Sequence, residues 1–281
     1  MKFPLSSVSA SPFWVRNFDE NNSNSRFRVH FLSSRRTMTV PCKSEAIEFE
    51  ERTSPEEIRK EIKKCYELIS KLGRGVVYLG SSRLTYNHPH YLQARELGKE
   101  VAQLLDTTSW TGAGPGLMDA VIKGALEARK PVGGFKIAKE AGEWTASNFH
   151  PYLPADSYIT SRFFSARKHG LVDAAVRNCI TDKTGVIALP GGVGTLDEIF
   201  EILALIQLKR IGSKFPVPFI IMNYDSFYDA LLEFFQNCKE HGTVFEGEVE
   251  SLWTICNTNF EALKFLADFY GLSFPEEAAG K

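Results

Sequence analysis

A chain of 281 residues with 43% hydrophobic side chains has enough apolar surface for one large core or two small ones. Its formal charge of −1, from 33 basic against 34 acidic residues, argues against a nucleic-acid partner held by a basic surplus. No apolar run approaches a bilayer span, and the five cysteines form no C-x-x-C pair or cluster with histidine, so neither a transmembrane helix nor a zinc or redox motif is expected.

Residues 1–44 read apart from the fold. Serine and arginine recur there, Asp19 and Glu20 are the only acids, and the apolar run of a secretory signal is missing. The composition predicts an organellar transit peptide, plastid ahead of mitochondrion, or else a disordered extension of a cytoplasmic protein. Folded character begins at Ser54-Pro55-Glu56-Glu57. Serine at the cap, proline at the first helical position and an acid three after the cap predict a helix that ends before Gly73.

Residues 75–79 read as a buried strand running into Gly80-Ser81-Ser82, and 90–105 as a helix. A second strand at 107–111 leads into Gly112-Ala-Gly114-Pro-Gly116-Leu-Met118, followed by a helix to 128 and a strand at 132–137. Residues 138–160 are expected to form a loop over the site with one short strand. A helix is expected over 161–177, with Phe163, Phe164 and Leu171 toward the core and Arg167 and Lys168 at its exposed edge. Beyond it come a strand at 186–189 and a helix at 196–210. Another strand (217–222), a helix (226–239), a last strand (253–256) and a closing helix (259–270) complete the chain. Strands alternating with helices imply one doubly wound, Rossmann-like α/β domain over 54–275, with a mainly parallel sheet and helices on both faces.

The central stretch is Pro190-Gly191-Gly192-Val193-Gly194-Thr195, between the strand at 186–189 and the next helix. Proline ends the strand, the glycines permit close approaches, and Thr195 is expected to cap the helix with Asp197 and Glu198 in its first turn. Such a strand, loop and helix start direct backbone N–H groups at an anion, most often a phosphate. Three small-residue loops follow parallel strands and so would open on one sheet edge, which suits a ligand with a phosphate and a ribose. None of the three fits G-x-G-x-x-G, so a dinucleotide cofactor is disfavoured. Arg83 is a candidate contact for phosphate or base. His88 and His90 lack a third ligand for a metal. His169 reads as a surface residue, Lys168 as a flexible surface lysine, and Glu201 as a supporting acid or a solvated one.

Taken together, Phe164-Ser-Ala-Arg167-Lys168 and Pro190-Gly-Gly-Val-Gly-Thr-Leu-Asp-Glu198 resemble the LOG family, the cytokinin riboside 5′-monophosphate phosphoribohydrolases. Leu79-Gly-Ser-Ser82 and Gly116-Leu-Met118 are similar to that family's other loops. The resemblance implies hydrolysis of the N-glycosidic bond of a nucleoside 5′-monophosphate, without cofactor or metal, by a homodimer. It places the catalytic pair on Arg167 and Glu198. Phosphate and ribose contacts are expected from Gly191, Gly192, Val193, Gly194 and Thr195, from Gly80, Ser81 and Ser82, and from Gly114, Gly116, Met118 and Lys168. The alternative is a carrier that binds a phosphorylated ligand, such as molybdenum cofactor, without turnover. Departures are Asp119, where the family usually has glycine, and a longer segment between Arg167 and Gly185.

Overall fold

The computed structural model describes residues 54–138 and 149–274. The predicted transit segment, residues 139–148 of the predicted loop and the last predicted domain residue lie outside the described residues. Among the described residues there are seven strands: β1 (Gly75–Leu79), β2 (Thr108–Thr111), β3 (Val132–Ile137), β4 (Tyr158–Ser161), β5 (Gly185–Ala188), β6 (Phe219–Met222) and β7 (Thr254–Cys256). The α-helices are α1 (Pro55–Leu72), α2 (Pro89–Leu105), α3 (Leu117–Glu127), α4 (Phe164–Ala175), α5 (Val193–Gln207), α6 (Asp229–Glu240) and α7 (Asn259–Tyr270). The strands form one sheet in the order β4-β3-β2-β1-β5-β6-β7, and every pairing is parallel.

Both faces of this sheet are covered, which is why its strands read as continuous apolar runs rather than alternating ones. Val77 and Leu79 of β1, with Val186 and Ala188 of β5, pack with side chains of α1, α4 and α5. Val76 and Tyr78, with Ile187 and Leu189, face the other way, against α2, α3 and α7. From β1 the chain steps outward to β2, β3 and β4, then returns to β5 on the opposite side of β1. That reversal opens a crevice beyond the carboxyl ends of β1 and β5, where ligands of such sheets sit.

The starts of α1 and α4 are instructive. Helix α1 starts at Pro55 as expected, with Glu56 and Glu57 in the first turn, but the Ser54 side chain does not cap it. Helix α4 begins at Phe164 and also lacks a cap of its own. The residues just ahead of it are tied to α1, where the Glu61 carboxylate accepts from the backbone N–H groups of Arg162 at 3.1 Å and Phe163 at 3.3 Å.

The longer segment between α4 and β5 lies at the amino ends of the strands, across the sheet from the crevice. Arg177 organises it, donating to the carbonyls of Ile180 (2.9 Å), Asp182 (3.0 Å) and Pro216 (3.3 Å). Its guanidinium also lies over the rings of Phe215, Phe269 and Tyr270. The insertion therefore braces the far edge of the sheet and does not shape the crevice.

Candidate active site

Helix α5 starts three residues earlier than the sequence suggests. Gly192 is its cap and supplies no side-chain acceptor, so Thr195 lies inside the first turn and no acid does. The first intrahelical donor is Leu196, to Gly192 O at 2.9 Å. The N–H groups of Val193, Gly194 and Thr195 precede it and have no carbonyl behind them to accept. These three residues line an open cleft of about 290 Å³. The early start follows from Gly191: a Cβ there would lie 2.2 Å from Thr195 Oγ1, so only glycine lets the helix fold back this tightly.

Ser81 joins the three loops. Its N–H donates to Pro190 O (3.0 Å), its carbonyl accepts from Leu117 N–H (2.9 Å), and its Oγ accepts from Arg83 N–H (3.1 Å). The loop after β1 is thus fixed to the glycine loop on one side and to the head of α3 on the other. Gly116 caps α3 against the Ser81–Ser82 backbone.

Arg167 and Glu198 form a buried ion pair through Nη1 and Oε1, with side chains only 4% and 9% exposed. Arg167 Nε also donates to Phe135 O at 3.0 Å. Room for the guanidinium comes from Gly112, where a Cβ would sit 2.1 Å from Arg167 Nη2. Glu198 stands one helical turn beyond Thr195, so α5 carries both the free N–H groups and the carboxylate. A buried pair of this kind is poor evidence of stability, since desolvation offsets the attraction. It does hold one carboxylate at a fixed place in a cleft.

A family described as possible lysine decarboxylases, the LOG family, matches residues 118–266, just over half of the chain. The chain belongs to this family. Among curated LOG relatives, a probable cytokinin riboside 5′-monophosphate phosphoribohydrolase of Oryza sativa subsp. japonica is 45% identical over 58 residues, covering 21% of this chain and 22% of that protein. A cytokinin riboside 5′-monophosphate phosphoribohydrolase of Arabidopsis thaliana is 43% identical over 58 residues, covering 21% and 25%. The matches thus span about a quarter or less of those relatives' length. The solved molybdenum cofactor carrier protein of Chlamydomonas reinhardtii is 18% identical with a TM-score of 0.45, over 70% of this chain and 99% of that one. A likeness at that level bears on neither ligand nor activity.

Most residues that the LOG resemblance singled out meet in the cleft. Gly80, Ser81, Ser82, Met118, Arg167, Gly192, Val193, Gly194, Thr195 and Glu198 line it. Gly191, Gly114 and Gly116 do not: each is buried behind the lining, where it serves the loop geometry. Lys168 is also outside, bridging Asp197 at 3.0 Å and Glu201 at 2.9 Å. Burial lowers its pKa, but the bonds to Glu201 and Asp197 outweigh this and hold the ammonium charged. Lys168 is therefore unsuited to the imine chemistry that the older decarboxylase description would need.

Two placements correct the sequence reading of α4. Arg167 is buried rather than at an exposed edge, and Phe164 is 37% exposed and lines the cleft rather than the core. The signal for Phe164 was its spacing: three residues before Arg167, it shares that face of the helix, and the guanidinium stands 5.5 Å from its ring. Arg83 joins the lining as well. His169 is engaged elsewhere, 3.1 Å from both Asp173 and Tyr66. The departure at Asp119 is absorbed by packing, because its carboxylate accepts from Tyr91 at 2.5 Å, from Tyr152 and from Lys123 at 2.9 Å. His88 Nδ1 accepts from His90 N–H, and no metal-binding group of three or more His, Cys, Asp or Glu occurs among the described residues.

Proposed function

We propose that the protein hydrolyses the N-glycosidic bond of a nucleoside 5′-monophosphate, giving a free base and ribose 5-phosphate. The observation that carries this reading is the Arg167–Glu198 pair set one turn along the helix whose first residues line the same cleft. The head of α5 holds the phosphate, so the ribose lies along the helix toward Glu198. The exposed face of Phe164 and the Met118 side chain form an apolar wall for the base. As the C1′–N bond breaks, its electron pair leaves with the base nitrogen and positive charge builds on C1′ and the ring oxygen. The Glu198 carboxylate stabilises that charge and takes a proton from the attacking water, and the departing base nitrogen takes up that proton to leave as the free base. Arg167 holds the carboxylate in place through its charged hydrogen bond.

A carrier of a phosphorylated ligand would need the helix start but has no use for a carboxylate at its far side, and this favours the enzyme. The substrates proposed are AMP or a cytokinin riboside monophosphate, the second being the substrate for which the relatives are named. Incubating purified protein with AMP and with isopentenyladenosine monophosphate, then separating the bases by chromatography, tests the reading. Tight binding of either nucleotide with no base released would establish the carrier instead. A homodimer is proposed as well, supported by the exposed apolar residues Phe200 on α5 and Leu208 just past its end; light scattering on the purified protein tests it. Plastid import rests on the composition of residues 1–44, and the amino terminus of the mature protein tests that. No helix among the described residues is long and apolar enough to cross a membrane.

A further inference from the structure

We propose that Arg83 is the residue that recognises the substrate's phosphate, gripping it from the loop after β1 while the head of α5 holds it from the other side. The inference rests on the hydrolase reading for its substrate class, but its test does not require turnover.

The charged side chains lining the cleft are Arg83, Arg167 and Glu198. Arg167 and Glu198 neutralise each other, and a second edge of the Arg167 guanidinium is taken by Phe135 O. Lys168 is committed to two carboxylates outside the cleft. Arg83 is different. It is exposed, and among the described residues no carboxylate lies within ion-pair reach of it.

A phosphate monoester carries about −1.5 to −2 charges near pH 7. The start of α5 offers it only partial positive charge, of order +0.5. Arg83 is the group in the lining that can supply the missing full charge, through the paired N–H geometry that suits phosphate. The base is neutral and has an apolar wall of its own, so a guanidinium adds little there.

The backbone of Arg83 is also prepared for this. Its N–H is fixed to Ser81 Oγ at 3.1 Å, and Ser81 is anchored to the carbonyl of Pro190, next to the glycine loop. The base of the side chain is therefore set relative to the head of α5, so less ordering is needed when the anion arrives.

The experiment titrates the full chain with ribose 5-phosphate and with adenosine by calorimetry, for the parent, Arg83→Ala and Arg83→Lys. Arg83→Ala is expected to weaken ribose 5-phosphate binding by about ten- to a hundredfold. Adenosine binding should be unchanged, and Arg83→Lys should recover part of the loss, since it restores charge without the fork. With AMP, the KM of Arg83→Ala should rise in parallel while kcat stays within about threefold. Equal ribose 5-phosphate affinity in parent and Arg83→Ala would overturn the inference. So would an equal loss for adenosine, which would move Arg83 to the base. A parent that binds ribose 5-phosphate through Arg83 but releases no base would sink the hydrolase reading and leave this assignment standing.

Discussion

Substituting Gly112 by alanine is the sharpest test of how the cleft is built, because Gly112 itself lies outside the lining and acts only through the side chains packed on it. The added Cβ would lie 2.1 Å from Arg167 Nη2 and 2.8 Å from Met118 Sδ. Restoring ordinary contact, roughly 3.5 Å, moves the guanidinium by about 1.4 Å. It cannot move that far and keep both its bond to Phe135 O and its pair with Glu198. Overpacking of this sort costs about 1–3 kcal/mol, and losing one charged hydrogen bond about 1.5–3 kcal/mol. With partial relaxation, about 3 kcal/mol is expected, lowering Tm by roughly 6–12 °C. A catalytic group displaced by about 1 Å loses on the order of a hundredfold in rate. The assay pairs thermal unfolding with AMP hydrolysis at saturating substrate and titration with ribose 5-phosphate. Low kcat with near-normal ribose 5-phosphate affinity is expected, since Arg167 is not placed on the phosphate. A variant within about threefold of the parent rate and about 1 °C of its Tm would show that Gly112 does not position Arg167.

Three further outcomes follow from the same geometry. Glu198→Gln keeps the volume and one acceptor but removes the charge. It should lower kcat by about 10²–10⁴ and still bind ribose 5-phosphate, whereas a parent-like rate would remove Glu198 from the mechanism. Arg177→Leu breaks three carbonyl bonds at the far edge of the sheet, for a loss of about 3 kcal/mol or more in denaturant unfolding with KM unchanged. A raised KM would mean that the long segment reaches the cleft after all. Burial, opposed by Asp119 and reinforced by Lys136, pushes the His150 imidazole down to about 4. Between pH 6.5 and 4 the unfolded chain binds this proton and the folded one does not, so stability should fall as pH drops through that window and be level above it. Urea unfolding at pH 7.5 and pH 5 measures the slope, and an undiminished slope in His150→Gln would discount the assignment.

The sequence determined the alternation of strands and helices, because runs buried on both faces and helix-breaking glycines are local signals. Residues 132–137 and 259–270 fall where they were expected for that reason. It also placed three small-residue loops on one edge, since right-handed parallel connections leave little choice. The pairing of Arg167 with Glu198 was legible only through the resemblance, as the two side chains are 31 residues apart on different helices. Tertiary structure decided the rest. The close approach of Thr195 to Gly191 moved the start of α5 forward, and Glu61 of another helix tied down the residues just ahead of α4. Ser81 drew three loops together through backbone bonds that carry no sequence signature. Whether an arginine is spent in an ion pair or left for a ligand depends on which carboxylates the fold brings near it. No local pattern encodes that, and it is what distinguishes Arg83 from Arg167.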